Sequence, residues 1–203
     1  MSLDQLRFRS TTVTIFVLCF VLIYVWVYMS FPGPWGTPTS AGLDASGALS
    51  SARVDSGEWW RLFTAPLLHA NLFHLLINIA NLYVLSVLMV HFYGWLQTLS
   101  VFFCSAFGGA VLSWAVGTHR SVGASGALFG LLGVLVVLGW KQRRRLSDED
   151  GHFLRKTLAF WGVLSLASGY VIPMIDNSAH LGGLLVGLSL GMMLDVLPNW
   201  REE

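Results

Sequence analysis

Six apolar runs decide what this sequence can fold into. They cover 11–29, 66–90, 95–116, 124–140, 157–175 and 177–197. Each is near the roughly 20 residues that a helix needs to cross a bilayer core. The 203 residues are 55% apolar and only 11% charged, against about 25% charged in a soluble domain. So little charge cannot clothe a water-facing shell, which makes this an integral membrane protein. In lipid the backbone must satisfy its own polar groups, so the runs are expected to be helices. The expected fold is all-α: a polytopic membrane protein with six transmembrane helices, forming a single domain over residues 1–203. A segment rich in Gly, Pro and Ser, 31–61, joins the first two runs, and a charged loop, 141–156, follows the fourth. The first run resembles the core of a signal peptide. It is too long for one and lacks a small-residue cleavage site before Ser30, so it is read as a span.

The positive charges suggest an orientation. With the N-terminus inside, the inner segments hold Arg7, Arg9, Lys141, Arg143, Arg144, Arg145, Arg155, Lys156 and Arg201. The outer segments hold Arg53, Arg61 and Arg120. This bias predicts both termini inside. It puts the 31–61 loop, and the starts of the second, fourth and sixth helices, on the outer side. A net charge of +1 and the lack of a basic stripe give no sign of nucleic-acid binding. Cys19 and Cys104 fall in apolar runs, with neither disulfide nor metal spacing, and are expected to be buried small hydrophobes.

Polar residues inside such runs stand out as candidates for function. Ser125 opens the fourth run within Gly123-Ala124-Ser125-Gly126, and His180 opens the sixth within Ala179-His180-Leu181-Gly182-Gly183. Counting helical rise from the inner end of each run puts Ser125 about 24 Å up, His180 about 22–27 Å up and His74 about 25 Å up. Three residues, a serine and two histidines, all of catalytic types and on three helices, thus share one level near the outer surface. Gly183, Gly187 and Gly191 continue one face of the sixth helix from His180, and Gly126, Gly130 and Gly133 flank Ser125 on the fourth. Small residues let membrane helices approach closely. They serve plain packing equally well, or they bring His180 to Ser125 as general base. His74 and Asn78 lie four apart on one helical face, where both can donate to an oxyanion. The Ser125 backbone N–H, near a helix start, is a third donor. The bland alternative is that His74 and Asn78 only bridge helices. His69 lies nearer the interface, where hydrogen bonding to the outer loop competes with a catalytic role. Asp176 either caps the sixth helix or orients His180 as a third triad member. Trp59, Trp60 and Arg61 suit a membrane–water interface, and Lys141 to Arg145 suit lipid headgroups.

Together these residues resemble the rhomboid family of intramembrane serine proteases over about 58–197. The resemblance rests on Trp60-Arg61, His69, His74 and Asn78 at H-x-x-x-x-H-x-x-x-N spacing, Gly123-Ala124-Ser125-Gly126, and Ala179-His180 followed by Gly183 and Gly187. It implies a six-helix rhomboid-like bundle with a short central fourth helix. Ser125 would be the nucleophile and His180 the base, in a dyad without a required acid. His74, Asn78 and the Ser125 amide would form the oxyanion site. Segment 31–61 would be a membrane-embedded loop. Substrates would be single-span membrane proteins, cut near the outer end of their helix at small residues, and no metal or cofactor is expected. Many members carry tyrosine four residues after the serine. This chain has Phe129, which can still pack on His180 but lacks the hydroxyl. No soluble domain is left over, so the chain looks like a minimal version of the fold.

Three other readings compete. A catalytically dead relative would usually lose the serine or the histidine, and both are present. A transporter with a histidine proton relay would show broken helices and paired halves, which are not seen. Metal and aspartyl intramembrane proteases would need H-E-x-x-H or an intramembrane aspartate pair.

Overall fold

The computed structural model describes residues 3–118, 120–144, 146–147, 151–171 and 175–196. Residues 172–174 and 197 of the expected spans, and Arg145 and Arg201 of the charge bias, lie outside them. The described residues are helical, with two isolated β-bridges, Pro32–Pro38 and Leu49–Ser121.

The chain starts with α1 (Leu3–Ser30). It buries Val13, Phe20, Tyr24 and Val27 on one face, a helical spacing. Three short helices follow in the connection to the next long helix: α2 (Ser40–Ser46), α3 (Ser51–Asp55) and α4 (Arg61–Thr64). The Thr39 side chain caps α2 by accepting from the Gly42 N–H, and Gly47, in a left-handed conformation, ends it. Next come α5 (Leu72–Tyr93), α6 (Trp95–Ala115) and α7 (Ser125–Lys141). A π-helical turn, Phe153–Thr157, leads into α8 (Leu158–Val171), and α9 (Asn177–Met193) comes last.

Among the described residues, three helices are long and apolar enough to cross a membrane: Thr11–Ser30, Leu72–Tyr93 and Trp95–Ala115. α7 is apolar but shorter, at 17 residues. Several boundaries differ from the expected spans: the first helix begins at Leu3 instead of 11, and the second runs on to Tyr93 instead of 90. The second helix starts at Leu72 instead of 66 because Asn71 caps it, accepting from the His74 N–H at 2.8 Å. Residues 65–67 form a separate 3-10 turn. The sixth ends at Met193, where Leu194 turns extended.

The core is centred on α7, which buries twelve of its residues, among them Leu131, Val134, Leu135 and Leu138. α6 and α9 pack on it. A Cβ on Gly183 would overlap the Gly126 carbonyl, and one on Gly187 the Gly130 carbonyl. The two glycine stripes therefore meet backbone to backbone. α6 joins the same seam, since a Cβ on Gly109 would come within 2.6 Å of the Ala179 carbonyl oxygen, which also faces Gly126.

Cys19 and Cys104 are exposed, not buried. In a membrane protein the outer surface faces hydrocarbon, so a small apolar side chain gains little by turning inward. Lys141 also departs from expectation. Its ammonium donates to the carbonyls of Met192 at 3.1 Å and Leu194 at 2.9 Å, so it satisfies the open C-terminal end of α9.

Candidate active site

Ser125 is the first residue of α7, and Ala124 before it still has helical φ and ψ. The stretch leading to it is held at two residues by three backbone bonds. Leu49 and Ser121 exchange two backbone bonds, at 2.9 and 3.0 Å, and the Gly123 N–H donates to the Ala65 carbonyl at 3.0 Å. Gly123 has φ +122°, and a Cβ there would lie 2.7 Å from Cε1 and 2.8 Å from Nε2 of His74. Only glycine allows both the turn and the close approach of the histidine.

His180 sits in the first turn of α9, 7% exposed. Its Nε2 lies 2.8 Å from Ser125 Oγ, a good hydrogen-bond distance. Phe129 stacks on the ring, with centroids 4.4 Å apart and planes 21° apart. Four residues after Ser125, it comes round to the same face of α7. His180 Nδ1 has no hydrogen-bond partner. Asp176 does not reach it. One carboxylate oxygen of Asp176 accepts from the Ala179 N–H at 3.0 Å, and the other accepts from the Ser113 hydroxyl. Of the two roles open to Asp176, the structure shows the cap. With Ser125 on Nε2 and no carboxylate on Nδ1, the histidine is arranged as one half of a pair.

His74 and Asn78 project from α5 toward the same place. The Asn78 Nδ2 lies 3.8 Å from the position a Gly123 Cβ would take, just beyond the His74 ring. One Asn78 amide hydrogen is spent on the His74 carbonyl, at 3.0 Å. The side chain is 4% exposed, and its second amide hydrogen remains to be used. His74, Asn78, Gly123, Ser125 and His180 are thus brought into one cluster, with Gly126, Phe129, Gly183 and Gly187 behind it.

Two expected site residues behave differently. His69 is buried at 2% exposure, not at a wet interface. Neither ring nitrogen makes a hydrogen bond of good geometry. The ring meets His74 edge to face at 5.1 Å and Phe20 at 5.8 Å. Arg61 is also 2% exposed. Its Nη1 donates to the Asp44 and Ala48 carbonyls at 2.8 and 2.7 Å, and Nε donates to Glu58 at 2.7 Å. It closes the connection between α1 and α5 from within, while Trp59 and Trp60 remain exposed. Local patterning missed Ser113 and Gly109. The available signal was their i, i+4 spacing on α6, which puts both on one helical face.

A family model described as the Rhomboid domain matches residues 56–195. The chain is 36% identical to RHOMBOID-like protein 6, mitochondrial, of Arabidopsis thaliana over 83% of this chain and 55% of that one. It is 37% identical to RHOMBOID-like protein 1 of the same plant, over 80% of this chain and 42% of that one. Against Rhomboid protease GluP of Bacillus subtilis (strain 168) it is 28% identical, over 85% of this chain and 33% of that one. The chain spans about half the length of the first curated relatives it matches.

Proposed function

This chain belongs to the rhomboid family, and from that membership we propose that it is an intramembrane serine endopeptidase. The observation that carries the reading is the 2.8 Å contact between Ser125 Oγ and His180 Nε2. Two helices meeting through bare backbone hold that contact inside an apolar protein.

The proposed chemistry runs in two halves. Ser125 Oγ attacks the scissile carbonyl carbon as its proton passes to His180 Nε2. The carbonyl oxygen becomes an oxyanion, stabilised by the Ser125 N–H, the His74 ring N–H and the second Asn78 amide hydrogen. The C–N bond then breaks, and His180 returns the proton to the leaving amine. A water, deprotonated by His180, attacks the acyl ester and releases the new carboxylate, restoring Ser125. Nothing in this scheme calls for a metal or a cofactor.

The substrates we propose are single-span membrane proteins, cut near the outer end of their helix at small residues. Helix-breaking residues there favour cleavage, because a peptide bond inside a helix must unwind to reach Ser125. The topology proposed is six spans with both termini on the positive, cytoplasmic side and the active site opening opposite. The concentration of Lys and Arg in the inner segments supports it.

The test is cleavage of a generic single-span substrate in liposomes, with Ser125→Ala beside the parent. Cleavage by the parent alone is the expected result. If neither cleaves, a fluorophosphonate probe decides, and a folded parent that fails to label at Ser125 sinks the protease reading.

A further inference from the structure

His180 is aimed by two things: Phe129 against its ring and the position of its backbone. Its Nδ1 meets no carboxylate, so where the first turn of α9 stands decides whether Nε2 reaches Ser125. Asp176 governs that turn. One of its carboxylate oxygens takes the Ala179 N–H at 3.0 Å, its backbone carbonyl takes the His180 N–H at 3.2 Å, and its other carboxylate oxygen takes the Ser113 hydroxyl. Ser113 is wholly buried in the last turn of α6. One turn earlier on α6, Gly109 faces the Ala179 carbonyl.

We infer that the Asp176–Ser113 pair is a positioning device that registers the first turn of α9 against α6 and so sets His180 at Ser125. This rests on the protease reading above. Gly109 and Gly126 permit close approach along the seam, where Val186 also seats against Gly108 and Leu112 against Gly182. At the first turn of α9, the hydroxyl–carboxylate bond is the side-chain contact that fixes its height against α6. It is charge-assisted and short-ranged, and its hydroxyl end is wholly buried. Asp176 acts through the backbone of His180, not on its ring. An amide should therefore serve in place of the carboxylate, since asparagine caps helices as well as aspartate.

The experiment measures kcat, KM and the rate of fluorophosphonate labelling in liposomes, with a thermal melt for each variant. Asp176→Ala is expected to lower kcat and labelling about 10- to 100-fold with KM unchanged, because small misplacements of a catalytic group cost this much. Ser113→Ala should lower both less, Ser113→Thr and Asp176→Asn should retain most activity, and the double alanine variant should be no worse than Asp176→Ala. Ser100→Ala removes an exposed hydroxyl that bonds the Leu96 carbonyl near the other end of α6 and should leave labelling unchanged. Parent-like labelling by Asp176→Ala overturns the proposal, as does strict additivity of the two alanine effects. Asp176→Asn as poor as Asp176→Ala overturns it too, because the carboxylate charge would then act on His180 directly. If the parent itself neither cleaves nor labels, the protease reading is what fails. Amide exchange over residues 177–183 then decides the pair: faster in Asp176→Ala and parent-like in Asp176→Asn supports it, and no change in either refutes it.

Discussion

At the scale of single residues, the site depends on a few atoms that no neighbour can replace. Ser125→Ala and His180→Ala should each abolish cleavage in the liposome assay, while their thermal melts stay close to the parent's. Removing the Asn78 donor should be milder. Asn78→Ala is expected to lower kcat about 10²-fold, in line with the loss of one oxyanion donor. Ser125, His180, His74 and Asn78 were legible in the sequence because a polar group in an apolar run has few reasons to be there. His69 and Arg61 were misjudged for one shared reason. Both sit where the long connection meets the second apolar run, a place that looks interfacial, and both are buried by partners far away in sequence. For Arg61 these are the carbonyls of Asp44 and Ala48, and for His69 the ring of Phe20. Local composition carries no trace of such contacts.

At the scale of elements, the seam between α7 and α9 was visible as two glycine stripes before any coordinates. Glycines at i, i+4 mark a face, and the facing stripe was there to be matched. The part α6 takes in that seam was less legible, since Gly108 and Gly109 alone do not say which helix they approach. The seam leaves no room. A side chain at Gly187 would strike the Gly130 backbone, which cannot rotate away as a flexible side chain would. Gly187→Val is therefore expected to destabilise the fold by at least about 1–3 kcal/mol, the usual cost of overpacking. A lowered melting temperature and lost cleavage would show it, and a parent-like melt would contradict the packing described for α9.

At the scale of the whole molecule, the 31–71 connection helps to build the candidate site. Arg61 ties its helices together, and Leu49 and Ala65 hold the strand-like stretch before Ser125. These bonds join residues far apart in sequence, so the segment read only as a long polar connection. The Arg61 guanidinium, hydrogen-bonded to Glu58, holds that carboxyl below its usual range, with Arg53 adding to the effect. A depressed pKa gives stability that is present at neutral pH and lost as pH falls through the folded value. Thermal melts from pH 7 to about pH 3 should thus fall more steeply, below the ordinary carboxylate range near pH 4, for the parent than for Glu58→Gln. That variant should start lower and change less. The short central helix has a consequence of another kind. At 17 residues α7 spans about 25 Å, less than a bilayer core of about 30 Å, and it is wrapped by protein instead of lipid. The height of Ser125 is thus fixed by the fold, while the height of a substrate helix floats with the membrane around it. The protein would then work as a ruler, cutting at a set depth and not at a set residue. Given one substrate in lipids of increasing chain length, mass spectrometry of the products should show the cut moving along the substrate, and a cut that never moves would mean that sequence alone chooses the bond.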